Sequence, residues 1–477
     1  VDALGTARNP VRIGIVGSGP AGFYAADFLL KTKSPVVHVD MFDRLLTPFG
    51  LVRAGVAPDH QKIKAVTKIF DRVARKPEFR FFGNVTLGEH IGAPELADFY
   101  HALVYATGAQ TDRNLRIPGI ELANSHTATE FVAWYNGHPD FRDRKFDLAQ
   151  ENVAVVGMGN VAIDVARILA RSHAHLAQTD IADYALEALQ ESKVRNIYIL
   201  GRRGPAQAAF TVPEVRELGR LTECQTVVRP EEARLDPLSQ AAVAQSTDKT
   251  LRTKLEIIHS FADQPDQGKP KQLTIRFLVS PTRLTGDTEG RVTRMQLSRN
   301  ELYAGDDGSL RSRSTDQHEE LDIGLVFRSI GYYGVPLPYV PFRDDWGIIP
   351  NEAGRVVDMD TGRQIEGHYV VGWIKRGPTG VIGSNRPDAK ETVALLLDDV
   401  MAAKHLHPVR TQPAQIVAEL RTRQPDFVTY ADWLYLDAEE VRRGAALGRP
   451  RVKFTSSQEM LAVLKARCSS QDSAACG

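Results

Sequence analysis

Apolar residues fall in short blocks along this chain, separated by glycine-punctuated polar stretches, and the blocks have the length of strands buried on both faces. Residues 11–16, VRIGIV, read as such a strand. The turn Gly17–Gly22 follows, then an apolar helix to about Lys31, a break at Ser34-Pro35 and a second strand, Val36–Phe42. That order is a βαβ start. ELADFYHALVYATG, residues 95–108, predicts a helix running into a strand that ends at Thr107-Gly108. A second βαβ unit opens at Asn152 with NVAVVG, continues through helix Val161–Ala170 and reaches a strand at Asn196–Leu200. Between them, residues 171–195 make a helical excursion longer than an ordinary crossover. Residues 225–325 alternate short β-rich runs (LTIRFLV, RVTRMQL) with polar turns, which suits an antiparallel meander. GLVFRSIGYYG then leads to a third glycine-punctuated region, HYVVGWIKRGPTGVIGSN, and amphipathic helices (PAQIVAELRTRQ, SSQEMLAVLKAR) follow His405.

Two such starts in one chain predict an α/β protein of two nested, Rossmann-like doubly wound domains. The expected division is residues 1–109 and 331–477 for the discontinuous outer domain, the latter with a helical extension, and 110–330 for the inserted one. The joints fall at Thr107–Gln110 and Ile330–Gly334, where strands end in glycine-containing turns.

Charge narrows the function classes. Lys+Arg and Asp+Glu balance at 59 each, so no overall field favours nucleic acid. No run approaches the roughly 20 apolar residues of a membrane helix. The three cysteines, Cys224, Cys468 and Cys476, include no Cys-x-x-Cys pair, which argues against a dithiol redox site, a zinc site or an iron–sulfur cluster on this chain. Scattered thiols fit a reducing compartment. The expected location is the cytoplasm of a bacterium, or the mitochondrial matrix for a processed eukaryotic chain.

The chemistry lies in the glycine turns. Gly17, Gly19 and Gly22 form a G-x-G-x-x-G between strand and helix, the arrangement that lets backbone approach a pyrophosphate at a helix N-terminus. Asp43 stands 21 positions after Gly22, where an acid accepts from a ribose 2′-hydroxyl. Pro20-Ala21 and the N-terminal position suggest FAD here, although the glycines alone do not separate FAD from NAD. In the second unit Gly157, Gly159 and Ala162 repeat the pattern with alanine third. The selector position after the next strand holds Gly201-Arg202-Arg203-Gly204, two guanidinium forks in place of an acid. They match a 2′-phosphate and favour NADP(H) over NAD(H).

Specific segments carry a resemblance over residues ~10 to 400. GSGPAGFYAADFLL, LTPFGLVRAGVAPDHQKIK, GMGNVAIDVARIL, GRRGPAQAAFTVPEVREL and YVVGWIKRGPTGVIGSN are similar to the signature segments of the adrenodoxin reductase-like ferredoxin–NADP reductases, and the tail LGRPRVKFTSSQEMLAVL to the bacterial members. Disulfide reductases carry Gly-Asp where this chain has Gly372-Trp373. The resemblance implies that Ala21, Asp43, Leu51 and Val85 line the adenosine side of FAD, with Asp43 in place of the family's usual glutamate. It places Trp373, Gly380, Val381 and Ile382 beside the isoalloxazine, with Gly380 also near the nicotinamide. Asn160, Val161, Arg202, Arg203 and Glu214 are implied NADP contacts, and His60 a histidine close to the flavin. His60 and Glu214 are the candidate catalytic residues, and no metal is expected.

The activity implied is hydride transfer from NADPH to FAD, then single electrons to a separate ferredoxin-type iron–sulfur protein, by a monomer. An acidic ferredoxin needs a local basic rim on a neutral protein. Candidates are Lys249, Arg252 and Lys254, with Arg53 and Lys375-Arg376 nearer the flavin. The alternatives are another NADPH-dependent flavoprotein, a diaphorase or monooxygenase, and a non-catalytic NADPH sensor.

Overall fold

The computed structural model describes residues 3–470. Strand Val11–Val16 is wholly buried and pairs in parallel with Val37–Phe42 on one side and Ala102–Tyr105 on the other. Phe79–Phe82 extends the sheet beyond the first neighbour, and Gln364–Val370 beyond the second. Two short antiparallel strands, Arg355–Val357 and Asn351–Glu352, finish that edge. Helices Pro20–Leu29 and Asn385–Met401 pack together on this sheet, and Phe23 stacks on Phe70 with ring centroids 5.0 Å apart.

The second sheet is parallel throughout, in the order Ser125–Thr127, Leu325–Arg328, Asn152–Val156, Asn196–Leu200, Lys271–Arg276, Cys224–Val228. All its strands lie in sequence between the parts of the first sheet, so this doubly wound unit is inserted in the other. Where the chain crosses, Thr111–Asp112 and Tyr332–Tyr333 pair as a two-stranded antiparallel ribbon.

The meander expected over 225–325 is only partly present. Lys271–Arg276, the LTIRF run, joins the parallel sheet, and residues 230–262 are largely helical. The antiparallel part is a three-stranded ribbon, Val279–Gly286, Val292–Ala304 and Leu310–Asp322. A short apolar run looks the same from sequence in either kind of sheet; the helices between the strands make the crossovers that parallel pairing requires.

The tail helices are Pro413–Arg423, Tyr430–Ala445 and Ser457–Ser470; the sequence reading named the first and last. The segment between the last two reaches the inserted unit. Arg449 donates to the Thr179 carbonyl at 3.0 Å and pairs with Asp183 at 2.5 Å, and buried Lys453 donates to the Asn136 carbonyl at 3.0 Å. Asp180 takes Lys64 at 2.7 Å. The excursion at 171–195 therefore supplies partners to Arg449 and Lys64 and, through Asp180 at 3.5 Å, an ion pair to Lys453, which burial makes obligatory. Cys224 is buried; the side chain of Cys468 and the whole of Cys476 lie outside the described residues.

Candidate nucleotide sites and the cluster between them

At the first turn Gly17 has φ +107°, and a Cβ there would lie 2.5 Å from the Ala106 carbonyl oxygen. Gly22 is equally confined, its would-be Cβ 2.2 Å from the Gly17 carbonyl oxygen. At Gly19, by contrast, a Cβ would meet nothing within 4 Å. The outer glycines hold the turn closed while the middle one leaves a bare backbone facing open space, the cradle a pyrophosphate needs. Helix Pro20–Leu29 starts here, and its N–H groups at Ala21 and Gly22 have no acceptor within the helix.

Around this cradle the structure gathers the predicted adenosine-side residues. Asp43 follows strand Val37–Phe42, and one of its oxygens accepts from the Ser18 amide at 2.9 Å and the Ser18 hydroxyl at 2.5 Å. The other accepts from the Leu45 amide at 2.9 Å. The acid thus ties the turn as well as facing it, and keeps lone pairs for a ribose hydroxyl. The Val85 amide donates to the Asp43 carbonyl at 2.9 Å. Gly50, just before Leu51, sits so close that its Cβ would be 2.9 Å from the Gly19 Cα. Gly372 has φ +79°, and a Cβ there would lie 2.5 Å from that of Ala21, which brings the Trp373–Ile382 strip to the same helix end. The strip is half open: Trp373 is partly buried against Tyr332, ring centroids 5.3 Å apart, and Gly380 and Val381 are exposed. The residues present fit FAD.

The second turn repeats the frame. A Cβ on Gly157, φ +143°, would lie 2.0 Å from the Ser329 carbonyl oxygen, and one on Gly159 would meet nothing within 4 Å. Helix Asn160–Ala170 leaves the amides of Asn160, Val161 and Ala162 without helical acceptors. The Asn160 side chain is turned aside and accepts from the Thr211 amide at 2.9 Å, which seats helix Val212–Leu218. Arg202 is exposed and Arg203 half-buried, and among the described residues neither guanidinium has an ion pair or hydrogen bond. Burial and the neighbouring Arg202 lower the pKa of Arg203. Two adjacent guanidiniums thus leave a local positive charge that no carboxylate of the described residues neutralises.

His60 and Glu214, far apart in sequence, come together between the two units. His60 Nε2 lies 3.0 Å from Glu217 Oε2 and 3.9 Å from Glu214 Oε2, and its Nδ1 lies 3.8 Å from Asp164. Burial and the nearby Asp164 carboxylate push Glu214 up to about 7, and its Oε2 is buried without a hydrogen-bond partner. Burial alone would lower His60; its bond to Glu217 and the carboxylates of Asp164 and Glu214 outweigh that and raise it. The bond to His60 lowers Glu217. Arg167, fully buried, pairs with Asp164 at 2.6 Å and also with Asp59 beside His60. Sequence reasoning missed Glu217, Asp164, Arg167 and Asp59. Its available signal was charge inside apolar helices, as in NVAIDVARILA.

Of the basic rim candidates, several are engaged by the protein itself. Arg53 pairs with buried Glu440 at 2.5 Å, and buried Lys375 with Asp388 at 3.0 Å and Glu391 at 2.7 Å. Arg376 donates to Asn385 at 2.9 Å. Lys254 donates to the Ala208 carbonyl at 2.5 Å and sits over the Phe210 ring, so it faces its own domain. Lys249 and Arg252 are exposed. Among the described residues no helix is long and apolar enough to cross a membrane.

Comparisons with known proteins agree with this arrangement. Residues 11–199 match the family model "Pyridine nucleotide-disulphide oxidoreductase". The chain is 45% identical over 463 residues to NADPH-ferredoxin reductase FprA of Mycobacterium tuberculosis, covering 95% of this chain and 99% of that one. It is 39% identical to the mitochondrial NADPH:adrenodoxin oxidoreductase of Arabidopsis thaliana, with 95% of each covered. The structure of FprA in complex with NADPH superposes with a TM-score of 0.89 at 44% identity, over 96% of this chain and all of that one. A nested pair of nucleotide units with this likeness over nearly its whole length places the chain in the family of NADPH-ferredoxin reductases that includes FprA and the adrenodoxin reductases.

Proposed function

We propose that this chain is an FAD-containing ferredoxin–NADP(+) reductase in which the first glycine turn holds FAD, the second holds NADPH, and the His60 cluster manages protons between them. Bound there, FAD would supply a hydride acceptor for NADPH and a one-electron donor for a ferredoxin-type iron–sulfur protein. The observation that carries the assignment is the pair of opposite selectors on two like frames, Asp43 tied to the first turn and unpaired Arg202 and Arg203 at the second.

The side chains divide the work. The amides of Ala21 and Gly22, and of Asn160 to Ala162, face the two pyrophosphates with their helix dipoles. Asp43 takes the FAD ribose, Leu51 and Val85 flank it, and Arg202 and Arg203 take the 2′-phosphate of NADP(H). Trp373 and the Gly380–Ile382 backbone would line the flavin. Glu214, protonated near neutrality, offers its unpartnered oxygen to the nicotinamide end, and His60 exchanges a proton with Glu217. Arg167 holds the carboxylates on which that exchange depends.

Exposed Lys249 and Arg252 are the proposed ferredoxin contacts, with Lys254 removed from that set. The ribbon of Thr111–Asp112 with Tyr332–Tyr333 is the proposed hinge, and it fits domain limits near residues 109 and 331. The test is rapid mixing: NADPH bleaches the flavin of the purified protein and a ferredoxin restores its colour. Oxygen consumed in step with a small substrate, or no bleaching at all, overturns the reading.

A further inference from the structure

We infer that Asn300, on the long antiparallel ribbon, is a positioning residue for the choice of NADP(H), acting through the backbone of the Arg202–Arg203 turn. This rests on the reading that those arginines take the 2′-phosphate. Asn300 lies in strand Val292–Ala304, next to an irregularity in its pairing at Ser298, and is 8% exposed. Its Nδ2 donates to the Arg202 carbonyl at 2.8 Å and to the Ser280 hydroxyl at 2.8 Å. Its own amide donates to the Leu278 carbonyl at 2.8 Å, and the Leu278 amide donates to the Arg203 carbonyl at 3.1 Å. Leu278 adopts φ +54°, a left-handed conformation unusual for a branched apolar residue. Two successive carbonyls of the arginine turn are therefore held by one connected set of ribbon groups.

The turn needs that hold. Its two cations repel one another and no carboxylate among the described residues pairs with either. Gly201 before them is tied to Arg276 at 2.9 Å and to Val279 at 3.0 Å, so Asn300 and Leu278 add the hold on the carbonyls of the arginines themselves. A flexible turn would have to be ordered by the ligand, weakening the discrimination between nucleotides. The orphan atom on Asn300 points the same way. Its Oδ1 is buried without a donor, so the amide does not complete its own hydrogen bonding. An apolar side chain would fill the space with no such orphan; what it would lack is the donor to Arg202. The ribbon thus contributes to nucleotide choice without supplying a side chain to the ligand.

The experiment measures binding of 2′,5′-ADP and of 5′-ADP to the FAD-loaded protein by calorimetry, with KM and kcat for NADPH and NADH beside it. Asn300→Ala is expected to weaken 2′,5′-ADP about 5–10-fold, leave 5′-ADP within about twofold, and raise the NADPH KM more than it changes kcat. Asn300→Asp keeps the size, removes the donor and adds a negative charge, so it should lose more of the same discrimination. It also serves if the alanine variant folds poorly. Equal losses for both ligands, or no loss of 2′,5′-ADP with either variant while Arg202→Ala loses it, would overturn the inference alone. Should Arg202→Ala and Arg203→Ala both leave 2′,5′-ADP affinity unchanged, the arginine reading itself fails and takes this inference with it.

Discussion

After Val16 the chain turns at Gly17, whose Cβ would be 2.5 Å from the Ala106 carbonyl oxygen; after Val156 it turns at Gly157, whose Cβ would be 2.0 Å from that of Ser329. In both units the middle glycine faces open space and a helix starts directly behind it. The surroundings differ. The first turn is laced to Asp43 through the buried Ser18, and its helix opens with Pro20, which has no N–H, so two amides face the cradle. The second has no such acid, opens with Asn160 and offers three amides, and leaves two guanidiniums unpaired nearby. On the function proposed above, the common geometry sets where a pyrophosphate would lie, and the residue ending the next strand sets which nucleotide would carry it. A tied turn suits a cofactor that stays, and an unneutralised one suits a coenzyme that must bind and leave.

The hardest way to break this comparison is to add the forbidden Cβ. Gly17→Ala places it against backbone in a left-handed conformation, and the purified protein is expected to lose its flavin absorbance. Gly157→Ala should keep the yellow colour and lose reduction by NADPH. Loss of FAD in both, or in neither, would show that the two turns do not serve separate nucleotides.

Replacing both Arg202 and Arg203 by alanine removes charge-assisted bonds of about 1.5–3 kcal/mol each. The NADPH KM should rise at least ~10-fold, with NADH little affected. Parallel losses with the two coenzymes would mean that the arginines do not read the 2′-phosphate.

Where the two units meet, Glu214→Gln tests the proton held between them. The folded pKa of about 7 lies above the ordinary carboxylate value of 4.5. Stability from the protonated form is therefore complete below pH ~4.5 and lost as pH rises through about 7. His60, Asp164, Glu217 and Arg167 surround the group and share the response. Glutamine stays neutral, so its advantage over the native protein should grow across that window by on the order of 1–3 kcal/mol and then level off. Melting temperatures at about pH 5 and pH 8 check it; a difference that does not change with pH sinks the raised carboxyl.

The frame was legible because its signals are local. A strand, glycines at fixed offsets, a helix and a selector about 20 or 40 positions on can be read without knowing what packs where. The cluster around His60 was half legible: all its members but Arg171 and His175 stand in recognisable segments, yet only His60 and Glu214 were singled out, because Glu217, Asp164 and Arg167 meet them only through two helices of the inserted unit that pack against the 57–60 loop. Asn300 reaches Arg202 across 98 positions, and a strand asparagine carries no mark of that. Exposure misled the reading of charge. Lys254 and Lys375 look like free cations in sequence, yet one caps a carbonyl and the other is buried in ion pairs. Whether a lysine is a docking residue or an internal strut depends on packing alone.

The smallest expected effect tests the third position of each turn, where the first unit has glycine and the second alanine. Gly22 has no room, since a Cβ would lie 2.2 Å from the Gly17 carbonyl oxygen, whereas Ala162 is already accommodated, fully buried, in helix Asn160–Ala170. Exchanging the residues should therefore be unequal. Gly22→Ala must push the helix away from the turn and is expected to weaken FAD retention. Ala162→Gly removes one methyl and loosens a helix, a cost of about 0.5–1 kcal/mol from backbone freedom, plus a little lost packing. It should lower the melting temperature slightly and leave the NADPH KM within about twofold, because the bare amides and the arginines are untouched. A large rise in KM from Ala162→Gly would mean that the alanine methyl itself sets the distance between helix and pyrophosphate. The two turns would then differ in their frames as well as in their selectors.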